Sequence, residues 1–302
     1  MLRALFLILF LIIGSFRIDV FAQEELPEAW EPISAGPVMT WTAPLCAQGE
    51  FVLQPFFFYH RTRGVFDSQG HYDSLPESDK KYQVQQQLFM QYGLTDRIEI
   101  DAQILYQHNY VKQQDLKAHA HGLADTCLFL RYCVLEETTR IPHITGLLEA
   151  KFPTGKYENL DTDKLGTDSM GTGSYDYGFG IIASKKLKPF VLHADLTLNF
   201  PQEVKVNNMK TEYAPYVNYD LGVEYFLPKG FNFMLEFNGY FQGDTREEGE
   251  KVSSSDVRYL TVSPGIGWSN EKIQTLLVYQ RTLSGVNTDV NDSVVLTCVL
   301  PF

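Results

Sequence analysis

The sequence predicts an all-β fold: a transmembrane antiparallel up-and-down β-barrel of twelve strands, with short periplasmic turns and long extracellular loops. Three observations carry this reading. Apolar and polar residues alternate from Gly49 onward, short and long connections alternate between those segments, and the chain ends in an alternating strand closed by Phe302.

The first element fixes the compartment. Met1 to Arg3 supplies a short positive start, Ala4 to Ile13 is a continuous apolar run, and Val20-Phe21-Ala22 offers a small-residue cleavage site before Gln23. This is the layout of a secretory signal peptide. The apolar run is shorter than the roughly 20 residues a spanning helix needs. Residues 1–22 are therefore read as a leader and set aside. Their loss takes away Arg3, Arg17 and Asp19, two positive charges and one negative, so the net charge moves from −12 to −13. An acidic chain of this kind does not suit nucleic acid, whose phosphates require Lys/Arg patches. Aromatic residues make up 14% of the chain, enough to furnish the girdles of a barrel.

Residues 23–48 contain Trp30, Trp41 and several prolines and show no period. An irregular periplasmic segment is expected there, either a partial plug of the barrel or a tether. Beyond it, twelve segments alternate with a period of two, near 50–60, 81–92, 97–109, 122–134, 141–153, 174–185, 188–200, 213–227, 231–243, 257–269, 271–282 and 292–302. In the ninth, Phe231, Phe233, Leu235, Phe237 and Phe241 oppose Asn232, Glu236 and Asn238. In the third, Ile98, Ile100, Ala102, Ile104 and Tyr106 oppose Arg97, Glu99, Asp101 and Gln103. The segments at 50–60 and 271–282 alternate least clearly. Each run approaches the roughly 9–11 residues a tilted strand needs to cross the hydrocarbon.

Five connections are short: Gly93 to Asp96, Leu135 to Arg140, Lys186-Leu187, Pro228 to Gly230, and Asn270. They alternate with longer ones at 61–80, 110–121, 154–173, 201–212, 244–256 and 283–291. Short turns on one side and long loops on the other are the pattern of an outer-membrane barrel, and a Greek-key sandwich would not keep that rhythm. The last segment, Val294 to Phe302, is similar to the terminal strand that bacterial barrel-assembly machinery reads. Pro301 is tolerated at a strand end.

Backbone groups in lipid find no water, so all strands must pair and the sheet must close. The polar face then turns inward. It brings Arg97, Glu99, Asp101, Asp125, Arg131, Glu149, Lys151, Asp176, Asp195, Asp220, Glu224 and Glu236 to the lumen, nine acidic residues against three basic. Either these residues pair in a filled, hydrated interior, or they line a pore that favours cations or neutral solutes over anions.

Several segments carry a family resemblance. Gly122-Leu123-Ala124-Asp125 leads into a strand, Lys151-Phe152-Pro153-Thr154-Gly155 opens a long loop that ends at Gly171-Thr172-Gly173, and Gly93-Leu94-Thr95-Asp96 forms a turn. From Gly49 to Phe302 the chain resembles the outer-membrane β-barrels named for the meta-pathway of phenol degradation. The resemblance implies passive transport of small, often aromatic or hydrophobic compounds across the bacterial outer membrane. It names no substrate and no binding residues, and Cys127 and Cys133 depart from it.

Other chemistry finds little support. Cys127 and Cys133 share a strand face roughly 20 Å apart at ~3.3 Å per residue, too far for a disulfide. His119 and His121 form a pair with only Asp125 nearby, which is weak for a metal, and exposed rim histidines are expected. Barrel phospholipases place a His and a Ser two apart on a strand. The nearest match is His143 with Thr145, which lacks the Ser. Lys156 follows Gly155, but Tyr157 then breaks any phosphate-cradling motif. No cofactor, metal or enzyme activity is expected. The expected role is a passive channel for small solutes, and the rival is a sealed barrel whose long loops do the work. The expected partners are outer-membrane lipid, the assembly machinery through Phe302, and a small solute.

Overall fold

Lipid and lumen ask opposite things of neighbouring residues on one strand, and that conflict shapes the chain. The computed structural model describes residues 30–34, 36–270 and 272–302. The leader read at 1–22, and residues 23–29 of the segment after it, lie outside the described residues.

Twelve antiparallel strands close into a barrel: β1 (Phe51–Phe66), β2 (Lys80–Thr95), β3 (Ile98–Gln113), β4 (Thr126–Leu135), β5 (His143–Phe152), β6 (Asp176–Leu187), β7 (Phe190–Pro201), β8 (Tyr216–Phe226), β9 (Phe231–Gln242), β10 (Val257–Ser269), β11 (Gln274–Val286) and β12 (Thr288–Pro301). Each pairs with the next. The seam between β1 and β12 closes the ring, running from Val52 opposite Pro301 to Phe66 opposite Thr288. Closure leaves no unpaired edge, which is what a bilayer demands of a sheet. Phe302 extends the seam: its N–H donates to Phe51 O at 2.8 Å and its ring lies 6.2 Å from that of Phe51. No described helix is long and apolar enough to cross a membrane, a fact that does not bear on a barrel.

The apolar face of each strand points outward. Ile100, Leu128, Leu148, Ile181, Leu221, Phe233 and Leu296 are all exposed large hydrophobics. In water such a continuous belt would be an interaction surface, and around a closed barrel it is the lipid contact. The segments near 50–60 and 271–282 alternate poorly because the inner face is itself apolar there. Phe56 and Phe58 on β1 and Leu276 and Val278 on β11 point inward and are buried.

The connections keep their rhythm with two corrections. The stretch 110–121 is no loop. Leu116–Leu123 is a strand that folds back on the upper half of β3 through a turn at Gln114-Asp115, pairing His108 with His121 and Tyr110 with His119. The stretch 283–291 is no long loop either, since β11 runs to Val286 and β12 begins at Thr288 around Asn287, whose φ is 48°. Both extensions rise past the hydrocarbon, where no lipid enforces alternation and the sequence signal fades. Two extracellular loops form a small sheet of their own, Thr211 opposite Glu247 and Glu212 opposite Arg246.

Candidate functional site: a plugged lumen with two walls

The inner face divides into an apolar wall and a charged one. The apolar wall comprises Phe56, Phe58, Met234, Leu276, Val278 and Val295, from strands adjoining the seam and from β9. Facing it, β3 to β9 carry carboxylates and amides. Burying that many carboxylates requires partners, since an unpaired charge out of water is costly. Much of the partner set comes from the irregular N-terminal segment.

That segment enters at the turn between β8 and β9, where the Trp30 ring meets Phe226 edge-on at 5.5 Å. It then crosses the lumen. Glu236, wholly buried, accepts three successive backbone N–H groups, from Val38 (3.0 Å), Met39 (2.8 Å) and Thr40 (2.8 Å), and the Thr40 hydroxyl at 3.0 Å. Successive N–H groups turned to one side form a concave anion seat, and here the anion is a side chain of the barrel. The Ser34 hydroxyl donates to Glu224 Oε2 at 2.6 Å, Trp41 N to Asp195 Oδ2 at 2.8 Å, and Ala43 N to Ser184 Oγ at 2.9 Å. Glu99 accepts from Cys46 N. Arg131 donates to the carbonyls of Thr42 and Pro44, and its guanidinium lies 5.3 Å from the Trp41 ring. Apolar contacts complete the seat: Val38 packs on the apolar wall, and Trp41 lies between Phe89 and Phe129 at 5.6 and 5.0 Å. The segment returns to the wall where Gly49 N donates to Gly93 O at 2.8 Å, then becomes β1. Gly93 allows this approach, because a Cβ there would stand 2.1 Å from Ala47 O. The described residues of this segment, from Trp30 on, thus lie against the inner wall of the barrel, tied mainly by its side chains.

Most of the inward set falls into three groups. Glu99, Asp101 and Arg131 sit together on β3 and β4, with Arg131 Nη1 2.5 Å from Glu99 and 3.8 Å from Asp101. Asp195, Asp220, Glu224 and Glu236 share β7 to β9. Among them His193 bridges Glu224 (3.1 Å) and Ser184 (2.8 Å), and Asn232 donates to Glu224. Asp125, Glu149, Lys151 and Asp176 form the third group at the outer mouth, where Lys151 Nζ lies 2.6 Å from Asp176 and 3.7 Å from Asp125. Arg97 is the correction. It lies at the exposed turn before β3 and pairs outside the lumen with Glu136 at 2.8 Å, because the bulge between Gly93 and Thr95 ends regular alternation there.

The motif segments at 122–125, 151–155 and 171–173 meet around the third group, whereas the turn Gly93–Asp96 lies at the other end of the barrel beside Gly49. Asp125 accepts from Gly155 N and Thr172 N, both at 3.0 Å, and the Thr154 hydroxyl donates to Ala124 O at 2.7 Å. The loop between β5 and β6 is thereby folded over the mouth. There Gln107 donates to Met170 O at 3.3 Å and Asn109 to Thr167 O at 2.8 Å. Asp168 holds the loop's own turn, accepting from Lys156 Nζ (2.6 Å) and Asp161 N (3.0 Å). Burial pushes that carboxyl up, but these donors outweigh it and hold it below the ordinary carboxylate range.

Above the plug, the inner face carries an aromatic ladder that sequence reading missed. Tyr216, Tyr240 and Tyr259 follow one another across β8, β9 and β10, with ring centroids 5.5 and 5.1 Å apart and the second pair parallel within 9°. All three are half-buried. The Tyr216 hydroxyl donates to Asp176 at 3.1 Å and that of Tyr240 to Gln242 at 2.9 Å. On β2 and β3 stands a run of amides, with Gln83 donating to Asn109 at 2.7 Å and Gln103 to Gln87 at 2.9 Å. The residues considered for catalysis or metal are placed apart from one another. The Thr145 hydroxyl donates to the plug carbonyl of Ala43 at 2.6 Å, and His119 and His121 stack against His108 on the outer rim. Cys46, Cys127, Cys133 and Cys298 are free thiols, and Cys127 and Cys133 face the lumen rather than lipid.

Comparison with known proteins gives three findings. A family model described as "Putative MetA-pathway of phenol degradation" matches residues 111–294. A search of curated proteins finds no match. Among solved structures, the chain is similar to the COG4313 outer membrane channel from Pseudomonas putida F1. The TM-score is 0.72 at 14% identity, over 88% of this chain and 100% of that one, a likeness of fold. The translocator domain of the autotransporter NalP from Neisseria meningitidis (TM-score 0.48, 10% identity, 85% of this chain and 90% of that one) is too distant to add to this. The same holds for the CymD monoaromatic hydrocarbon channel (0.38, 7%, 85% and 89%).

Proposed function

The chain belongs to the family named for the MetA pathway of phenol degradation, and from that premise we propose that it is a gated outer-membrane channel for passive uptake of small solutes, aromatic or hydrophobic ones foremost. The observation that carries this reading is the division of the lumen: a plug fastened by side-chain acceptors below, and the ladder Tyr216, Tyr240, Tyr259 above it. Flat aromatic faces on a pore wall favour flat apolar solutes through offset stacking, while the hydroxyls and Asp176 accept a solute's polar end. A plug held by side-chain contacts rather than by strand pairing can leave its seat without breaking the strand ladder, since water in a polar lumen replaces each hydrogen bond at modest cost.

The remaining parts fit that role. Residues 1–22 act as the export leader, the N-terminal segment enters from the periplasm, and the terminal strand ending in Phe302 addresses the chain to the barrel-assembly machinery. One observation favours the rival sealed barrel: the apolar packing of Val38 and Trp41. Influx into liposomes separates the two. Phenol-like aromatics should enter faster than sugars of similar size, and both faster than into protein-free vesicles. Folded barrels that leave vesicles tight to every solute would favour the sealed reading.

A further inference from the structure

The outward face of β1 to β3 carries a second feature, unrelated to the lumen. On β2 the outward residues run from Tyr92 near one rim to Tyr82 near the other. Ten residues at ~3.3 Å each, on a strand tilted ~40°, span about 25 Å of height, the thickness of the apolar band of such barrels. Tyr82 belongs to an aromatic row, its ring 6.2 Å from Tyr59 and stacked 4.6 Å from Tyr110. That row marks the outer hydrocarbon boundary.

Cations begin at and just above it. Arg61 stands opposite Tyr82, while Lys80 stands opposite Lys112, and Lys112 opposite Lys117 on the folded-back strand. Like charges directly opposed across strands destabilise a sheet. No carboxylate among the described residues lies within ion-pair distance of these four. The nearby acids are held mainly by other groups, although the Lys112 charge also acts on Asp79 from beyond ion-pair distance. Asp79 accepts from Gln114 N and the Ser78 hydroxyl, and Asp292 takes Arg63 and Arg281. On the opposite side, the outward residues at the upper ends of β6 to β9 are Tyr177, Phe200, Val217 and Phe241, with no cation.

We propose that Arg61, Lys80, Lys112 and Lys117 form a docking site for the phosphorylated headgroup of an outer-leaflet lipid, whose acyl chains descend over the apolar face of β1 to β3. Charge complementarity chooses the occupant. Four cations with no ion pair among the described residues, on a chain of net charge −12 and one step above an aromatic boundary, lie where lipid phosphates lie and offer nothing to a neutral headgroup. The tyrosine hydroxyls beneath can donate to the same phosphates.

The test uses the full-length folded barrel in detergent, with diphosphorylated lipid A and phosphatidylethanolamine as probes and bound lipid counted by native mass spectrometry. Wild type should retain lipid A at concentrations where phosphatidylethanolamine is lost. Each cation near a membrane contributes a roughly fivefold preference, so R61Q/K80Q/K112Q/K117Q should lower lipid A retention at least tenfold. K80R/K112R should keep it. Resistance to SDS at room temperature checks that each variant is folded. Equal retention of the two lipids by wild type, or undiminished retention by the folded quadruple variant, overturns the proposal. Displacement of lipid A by an equal concentration of inorganic phosphate overturns it too, in favour of a free anion.

Discussion

Glu236→Ala isolates the plug's main fastening. The substitution leaves three backbone N–H groups, at Val38, Met39 and Thr40, and one hydroxyl without their acceptor in a seat that is buried at Thr40 and part-buried at Val38 and Met39. Stranding a buried donor costs roughly 1–3 kcal/mol. Taking the low end for each amide gives about 3 kcal/mol against the seated plug, and none against the displaced plug, whose amides meet water. At 1.4 kcal/mol per decade, the displaced population should rise about a hundredfold. Open events should become frequent in single-channel recordings, and aromatic influx into liposomes should rise by more than tenfold. Glu236→Gln keeps one acceptor oxygen and should fall between the two. The barrel should survive both changes, because no strand pairing depends on the carboxylate. If folded Glu236→Ala conducts and transports within twofold of wild type, the plug is no gate and the fastening argument fails.

Three further predictions follow from the same geometry. Gly222→Cys with Thr40→Cys should form a disulfide that locks the plug, since a Cβ at Gly222 lies 3.4 Å from the Thr40 Cβ, close to the spacing a disulfide needs. Oxidised channels should transport less than reduced ones, and equal transport in both states would dissociate the plug from gating. Tyr240→Ala should remove the middle rung of the ladder and lower aromatic influx severalfold while leaving sugar influx unchanged, by about the 0.5–1.5 kcal/mol of an aromatic pair. The loop over the mouth should loosen in acid. Asp168 has its carboxyl held below the ordinary range in the folded loop, so its contribution is full above that range and is lost as pH falls through the lowered value. Limited proteolysis between residues 153 and 175 should accelerate there, and Asp168→Asn should show the fast rate already at neutral pH.

The sequence revealed strands wherever lipid and lumen disagree most. On β3 and β7 to β9 many inner residues are charged or amide and most outer ones aliphatic or aromatic, so each strand announces both faces. On β1 and β11 the inward Phe56, Phe58, Leu276 and Val278 blur that contrast, although the strands pair as regularly as the rest. Beyond the bilayer the contrast has no cause, which hid the folded-back strand at Leu116–Leu123 and the length of β11. Alternation gave the facing of these polar residues, apart from Arg97, but not their grouping. Ser34 meets Glu224 across 190 positions, and no local spacing encodes such a meeting. The tyrosine ladder escaped for the same reason, with one ring from each of three strands and nothing notable about any of them alone.

The plug is continuous with a seam strand, and this ties its seating to closure of the barrel. Residues 38–40 leave the exporting apparatus long before their acceptor on β9, 196 to 198 positions later in the chain. Until that strand is paired, the segment has no seat, and contacts so remote in sequence form late. Yet β1, which follows the segment after a few residues, must wait for β12 to close the ring. Seating of the plug and closure of the seam are thus both late events, joined by the few residues that run from one to the other.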